Sequence, residues 1–283
     1  MKRFKIEKEH YGYKISQYLR EIQNYSGRSL RNIEVFFDGK KVKTTKKIRK
    51  QGILKVVEKE KGTNIKPIKI PLDIVFEDDD VLVVNKQPYL VTHPTKKKVD
   101  VTLANGIVYY FQEKYGKEMV PRFYNRLDMD TSGLIIIAKN SFAQAFLQNF
   151  GDVKKYYMAL VHGIIKENTI TIEKPIARVG DDLRRQILDE GQYAKTVVKT
   201  IKRNEDKNIT LAECELFTGR THQIRVHLSN EGYPILGDKL YGDIDDNVKR
   251  QMLHSYKVSF IHPRTKEIKE LEIGMYDDMK EFM

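Results

Sequence analysis

The sequence predicts an α+β fold: a mixed, mainly antiparallel sheet with flanking helices, preceded by a small N-terminal α/β unit. Three observations carry that prediction. Short β-rich runs outnumber helical ones and the helices are separated, which favours an antiparallel sheet over regular βαβ alternation. The pair Asp38-Gly39 stands between Val35-Phe36-Phe37 and Lys41-Val42, a strong signal for a tight hairpin. Charge divides the chain as well: of the net +12, residues 1–70 hold 20 Lys and Arg against 7 Asp and Glu, whereas the other 213 residues hold 31 against 32. The whole excess lies in the N-terminal quarter, as in a nucleic-acid-binding module joined to a near-neutral body. A solubilising lysine face is the plainer alternative. We divide the chain into residues 1–60, a polar linker over 61–69 containing Gly62 and Pro67, and residues 70–283.

The N-terminal unit opens with Ile15, Tyr18, Leu19 and Ile22 at helical spacing over residues 13–22. A second short helix is expected over 26–33 with Leu30 and Ile33 inward. The hairpin follows, and residues 52–57 form a closing strand. Basic residues crowd this unit, among them Arg28, Arg31, Lys41, Lys46 and Lys47. In the body, residues 72–76 and 81–84 pair around the acidic turn Glu77-Asp78-Asp79-Asp80, which reads as an exposed turn with no need of a metal. Residues 101–114 place Leu103, Ala104, Ile107, Val108 and Phe111 on one helical face. The continuous apolar run 134–138 reads as a fully buried strand. A helix over 141–150 is capped by Asn140 or Ser141. Strands are expected over 156–161, 169–177, 196–202, 209–216 (alternating, hence half-buried) and 256–261, and a helix over 221–230.

Composition narrows the function classes. With 32% charged and 40% hydrophobic residues the chain is an ordinary soluble globular protein. No secretory signal follows the charged start and no apolar run is long enough for a bilayer, so a cytoplasmic monomer with no membrane partner is expected. The single Cys214 excludes an internal disulfide and a multi-cysteine metal site. No glycine-rich dinucleotide or triphosphate loop is present. His222 and His227, five apart on a helix, stand roughly 140° apart around it and grip a metal poorly. Neither cofactor nor metal is expected.

The polar stretch Asn125-Arg126-Leu127-Asp128-Met129-Asp130-Thr131-Ser132-Gly133 runs directly into the buried strand. Taken alone, an Asp-rich turn is more often a solvated loop. Lys155 and Tyr157 flank the start of another strand, and Arg220 and Arg225 bracket Thr221-His222-Gln223-Ile224. Arginine is costly to bury without a carboxylate, its natural bidentate partner. An Asp fixed by an Arg beside a Tyr would be an oriented nucleophile or base. A structural ion pair with a core tyrosine fits the pattern equally well.

These residues resemble a known family. Arg126-Leu127-Asp128-Met129-Asp130-Thr131-Ser132-Gly133-Leu134 is similar to the Arg-Leu-Asp-x-x-Thr-Ser-Gly-Leu signature of RluA-type pseudouridine synthases. Lys155-Tyr156-Tyr157-Met158-Ala159-Leu160-Val161-His162-Gly163 resembles the family's Lys-x-Tyr-x-Ala-Leu-Val-x-Gly motif. The stretch from Thr218-Gly219-Arg220 to Arg225-Val226-His227-Leu228 resembles its third. Gly237-Asp238-x-x-Tyr241-Gly242, Leu253-His254 and His262-Pro263 match further, in the family's order, over residues 72–263. The N-terminal unit resembles the small alpha-L RNA-binding motif that this family often carries.

The resemblance implies an isomerase that converts uridine to pseudouridine in structured RNA, ribosomal RNA ahead of transfer RNA. It implies that Asp128 attacks the target nucleotide, Arg225 orients Asp128, Tyr157 stacks on the base and helps move a proton, and Arg126 enters the RNA stack as the base leaves. Arg220, Lys155 and the N-terminal Arg28, Arg31, Lys41, Lys46 and Lys47 are candidate RNA contacts. The sequence departs from the pattern at Asn125, where the family usually has His. It departs again at Asn85-Lys86-Gln87-Pro88-Tyr89, where Lys-Pro-x-Gly is usual and the turn must be built differently, and it lacks the proline usual near the end. A non-catalytic RNA-binding or ribosome-assembly factor with the same fold is the alternative; it would form no pseudouridine in unmodified RNA.

Overall fold

A computed structural model describes residues 2–58, 62–94, 101–242 and 248–283. Its N-terminal sheet is antiparallel throughout, in the order β1 (Lys2–Ile6), β4 (Gly52–Glu58), β2 (Ile33–Phe37), β3 (Lys40–Val42). Two helices pack on it, α1 (Ile15–Glu21) and α2 (Gly27–Arg31). Ile15, Tyr18 and Leu19 close over Ile6, Val35, Leu54 and Val56. Asp38 and Gly39 have φ of 48° and 79°. Two consecutive positive φ values give a hairpin turn whose twist matches its strands.

Two expectations here need correction. Ile22 is 45% exposed, because α1 ends at Glu21 and leaves it at the cap. The second helix stops at Arg31, so Ile33 is buried as a strand residue of β2 instead. Ser26 starts that helix, its hydroxyl accepting from the Ser29 N–H. Strand β1 was not expected: Phe4 and Ile6 alternate with Arg3 and Lys5, but the run is five residues long and its third inward position is Lys2.

The larger sheet runs in the order β10-β13-β14-β9-β15-β8-β6-β5, with β7 added on β8 and β16 on β15. In chain order its elements and neighbours are β5 (Asp73–Glu77), β6 (Val81–Lys86), α3 (Leu103–Tyr115), β7 (Arg122–Phe123), β8 (Ser132–Ala138), α4 (Ser141–Phe150), β9 (Lys154–His162) and β10 (Thr169–Glu173). The small hairpin β11 (Ile176–Arg178) and β12 (Arg185–Ile187) follows. Then come β13 (Lys195–Asn204), β14 (Ile209–Leu216), α5 (Gln223–Asn230), β15 (Leu253–Ile261), β16 (Ile268–Glu272) and α6 (Asp277–Lys280). Pairing is antiparallel except where β8 meets β15.

All seven residues of β8 are buried. Side chains alternate across a sheet, so Ile135 and Ile137 join the cluster under α3 while Leu134, Ile136 and Ala138 join the one under α4. The apolar run is continuous because both faces are covered. Strand β14, expected half-buried, is buried at residues 209–212 and again at Cys214. The expected strand 169–177 is two strands, β10 and β11, parted at Pro175, which has no N–H to give to a ladder. Among the described residues no helix is long and apolar enough to cross a membrane.

The acidic turn is not an exposed one. Asp80 is fully buried and accepts two bonds from Arg264, at 2.6 and 3.0 Å, and one from Asn140 at 2.8 Å. Asp78 receives the N–H groups of Asp80 and Val81. The two units meet beside this turn: the Lys2 ammonium lies 4.0 Å from Asp80 and 3.0 Å above the Phe142 ring, and Tyr25 packs on the same ring.

Glu77 is the centre of a second knot. Burial alone would raise its pKa, but bonds from Lys114, Tyr110, Tyr115 and Lys139 outweigh it and hold the carboxyl at about 2. A carboxyl lowered by folding stabilises the native state above its unfolded pKa, and that contribution disappears as pH falls through the folded value. Stability should therefore decline between about pH 4.5 and 2. In the Glu77→Gln variant, less stable at neutral pH, that decline should be shallower in denaturant titrations across the same range.

Candidate active site

Residues 124–131 join β7 to β8, and almost every residue of this loop is tied down. Lys86, fully buried at the end of β6, donates to the carbonyls of Gln87, Leu90 and Met129, each at 2.9 Å. Burial lowers its pKa to about 7, although Asp130 and Asp128 pull it upward. Thr92 donates to the Leu127 carbonyl at 2.9 Å and Leu90 N–H to that of Met129 at 3.2 Å. From the other side Arg250, bidentate to Asp278, reaches the Asp130 carbonyl at 3.1 Å, and Gln251 reaches the Thr131 hydroxyl at 3.0 Å. Ser132 and His254 lie 2.9 Å apart across the β8–β15 junction. There Gly133 has φ 117°, and a Cβ on it would sit 2.2 Å from the Ser255 carbonyl oxygen, so no larger residue fits.

The departure at Asn125 has a structural use. Its amide donates to the Leu134 carbonyl at 3.2 Å and accepts from the Ile136 N–H at 2.9 Å, acting as a short extra strand beside β8. At the other departure, Tyr89 takes φ 61° at the position where the family pattern has Gly.

The loop presents Asp128, whose side chain is 29% exposed, to Arg225 from α5. Arg225 Nη1 donates to Asp128 Oδ2 at 2.8 Å. Its bidentate partner, however, is Asp238: Nε donates to Oδ2 at 2.7 Å and Nη2 to Oδ1 at 2.8 Å. Asp238 is fully buried and also accepts the N–H groups of Leu240 and Tyr241. The expected bidentate Asp128–Arg225 pair is thus a single bond backed by a second carboxylate. Asp128 Oδ1 is left without a hydrogen bond among the described residues.

Tyr157 on β9 is 5% exposed, with Ser255 and Cys214 as its cross-strand neighbours. Burial pushes its hydroxyl pKa up, the nearby Asp128 charge adds to the rise, and the Ser255 hydroxyl opposes it. His222 opens α5, its Nε2 3.9 Å from Asp128 Oδ2. The Gln223 amide pins the turn before it, accepting from Arg220 N–H and Thr218 Oγ1 and donating to the Lys195 carbonyl.

Of the other residues singled out in sequence, Arg126 is exposed on the Asp128 loop with no side-chain partner among the described residues. Arg220 is half-buried and donates to the Tyr193 carbonyl at 3.0 Å. Lys155 is half-buried near Gly219, and burial alone lowers its pKa. Arg31, Lys41, Lys46 and Lys47 are exposed on the N-terminal unit, with Lys41 paired to Glu34 at 2.7 Å. The side chain of Arg28 and linker residue 61 lie outside the described residues. His227 is structural, bonded to Thr196 and to the Lys174 carbonyl. No cluster of three potential ligands that could hold a metal occurs among the described residues.

Local pattern alone assigns no role to Asp238, Lys86, Arg250 or the His222–Tyr241 pair. A buried Arg225 that faces one active carboxylate implies a further anion, but not which one. A lysine two residues after the apolar run 81–84 is the remaining signal.

Fold and site together describe an oriented, partly exposed carboxylate near a buried tyrosine. A family model described as RNA pseudouridylate synthase matches residues 80–230. A Bacillus subtilis protein described as an uncharacterised RNA pseudouridine synthase, YjbO, is 38% identical over 247 residues, spanning 85% of this chain and 86% of its own. Ribosomal large subunit pseudouridine synthase D of Zymomonas mobilis is 36% identical over 230 residues, spanning 76% of this chain and 72% of its own. The solved structure of human RNA pseudouridylate synthase domain containing 1 overlays with a TM-score of 0.60 at 28% identity, covering 72% of this chain and 83% of that one. The chain belongs to the RNA pseudouridylate synthase family, isomerases that convert uridine to pseudouridine in RNA.

Tyr89 is strained relative to a glycine, and at 56% exposure it gains little from packing. Replacing Tyr89 by Gly should stabilise the chain by about 1 kcal/mol or leave it unchanged, as read by chemical denaturation. A destabilisation above about 1 kcal/mol would show that the tyrosine is held by more than its backbone.

Proposed function

We propose that this protein isomerises specific uridines in structured RNA, ribosomal RNA ahead of transfer RNA, with Asp128 as the catalytic carboxylate. The carrying observation is the chain Asp238–Arg225–Asp128, which aims one carboxylate out of the protein and leaves its Oδ1 free among the described residues. A similar protein named for the ribosomal large subunit supports the choice of RNA. We further propose that it works as a cytoplasmic monomer, with residues 1–60 as the RNA-binding unit, 61–69 as linker and 70–283 as the catalytic unit.

A base inside a helix hides its ring, so the target must be flipped out at a cost of roughly a few kcal/mol. Arg126, exposed on the same loop as Asp128, is placed to enter the vacated stack. Stacking on an aromatic residue returns about 1–3 kcal/mol, the role we give Tyr157. Asp128 attacks the nucleotide and the glycosidic C–N bond breaks. The uracil turns, a C–C bond forms between its C5 and the ribose C1′ as the bond to Asp128 breaks, and the C5 proton leaves while N1 gains one. Atoms are conserved, so the site must only hold the base and exclude water, which would otherwise capture the ribose and release free uracil. The fully buried β8 behind the loop forms the dry wall. Arg220 and Lys155 flank the site as phosphate contacts, and no anion among the described residues raises the pKa of Lys155.

Tritium at C5 of uridine is released when pseudouridine forms. Asp128→Asn should reduce that release more than about a thousandfold while leaving RNA affinity within about threefold of wild type; undiminished release would exclude Asp128 as catalyst. Arg31→Ala, Lys46→Ala and Lys47→Ala combined should weaken binding. They should also flatten the slope of log affinity against log salt by about 0.7–0.9 for each phosphate no longer neutralised, and an unchanged slope would place the RNA elsewhere.

A further inference from the structure

We propose that His222 is a further substrate-contacting residue, its imidazole Nε2–H donating to a carbonyl oxygen of the target uracil beside Asp128. The inference rests on the pseudouridine synthase reading and adds a residue to that site.

The ring's hydrogen-bond partners assign its proton. Tyr241 Oη accepts the Arg185 N–H at 2.6 Å and lies 2.8 Å from His222 Nδ1. Nδ1 is the one acceptor the Tyr241 hydroxyl reaches among the described residues, so we assign the phenol proton to that bond and the imidazole hydrogen to Nε2. Burial lowers the imidazole's pKa and keeps it neutral; Arg225 and Arg185 act in the same direction, against Asp128 and Asp238.

The Nε2–H has no hydrogen-bond partner among the described residues. Asp128 Oδ2, its nearest carboxylate, is 3.9 Å away, beyond hydrogen-bond reach, and already receives Arg225 at 2.8 Å. A substrate group seated about 3 Å from both atoms would meet the carboxylate and the donor together. When the glycosidic bond breaks its electron pair moves onto the uracil, and charge grows on the ring carbonyls. A fixed neutral donor is worth more there than in the ground state.

His222 sits at φ 57°, ψ 20°, a left-handed conformation that histidine tolerates, and its side chain remains 17% exposed beside Asp128. Arg185 opens β12, so the β11–β12 hairpin, whose loop exposes Leu183, reaches His222 through Tyr241.

Two substitutions separate a donor from a structural role, because the two roles rank them oppositely. His222→Asn suits the left-handed backbone but is too short to reach the substrate. His222→Gln fits that backbone less well but extends an amide N–H toward the former Nε2 position. The full chain is assayed under single turnover on total RNA, tritiated at uridine C5, from cells lacking this gene, with Tm and RNA affinity measured in parallel. The expected result is a fall of about 10²-fold for Asn with affinity and Tm retained, and a rate within about tenfold of wild type for Gln. Tyr241→Phe, which releases Nδ1 to take the proton, should fall between them. Asn at the wild-type rate, or Gln slower than Asn, overturns the proposal while Asp128-dependent release still upholds the synthase reading. Absence of release from wild type is a different failure, which removes that reading and the proposal with it.

Discussion

One guanidinium organises the site. Arg225 is 7% exposed, and a buried cation is tolerated only when its charge and donors are matched. The fully buried Asp238 takes the Nε–Nη2 edge, leaving Nη1 to make one bond to Asp128. A bidentate clamp on Asp128 would have engaged both of its oxygens. The arrangement instead fixes the carboxylate's direction and keeps one oxygen available. Asp238 in turn is held by the N–H groups of Leu240 and Tyr241, so the geometry passes from backbone to carboxylate to guanidinium to carboxylate.

Directional precision at Asp128 also requires a rigid loop, and here the buried strand matters. Strand β8 is covered on both faces, and its close parallel approach to β15 demands glycine at position 133. Beneath the loop, the Lys86 ammonium gathers three carbonyls and pairs directly with no carboxylate among the described residues. Burying Lys86 is expensive, which its pKa of about 7 expresses. What it secures is the path of two backbone segments, the 87–90 turn and the loop at Met129, where Asp128 must not drift. Tyr89, in a conformation suited to glycine, is a second local cost in the same cluster.

The basic N-terminal sheet is joined to the near-neutral body at the 77–80 turn and at Phe142. That explains why the acidic run proved to be buried architecture: Asp80 and Glu77 balance cations arriving from β1, α3 and the segment after β15. Exposed Arg31, Lys46 and Lys47 remain outside this network, available to an anionic surface.

Periodicity and turn chemistry determined much from the sequence alone. The α3 face, the Asp38-Gly39 hairpin, the Asn140 cap and the buried 134–138 strand are local patterns, written in residues three or four apart or adjacent. Motif resemblance placed Asp128, Tyr157 and Arg225 in one family pattern. Tertiary structure alone decided what required partners distant in sequence: the carboxylate that takes Arg225's fork, the carbonyls that hold Lys86, and the burial of an acidic turn by Arg264. It also turned Asn125 into a strand-like bracket and set the Tyr241 hydroxyl 2.8 Å from His222 Nδ1. Charge compensation is satisfied by whichever group the fold brings near, and no local spacing encodes that choice.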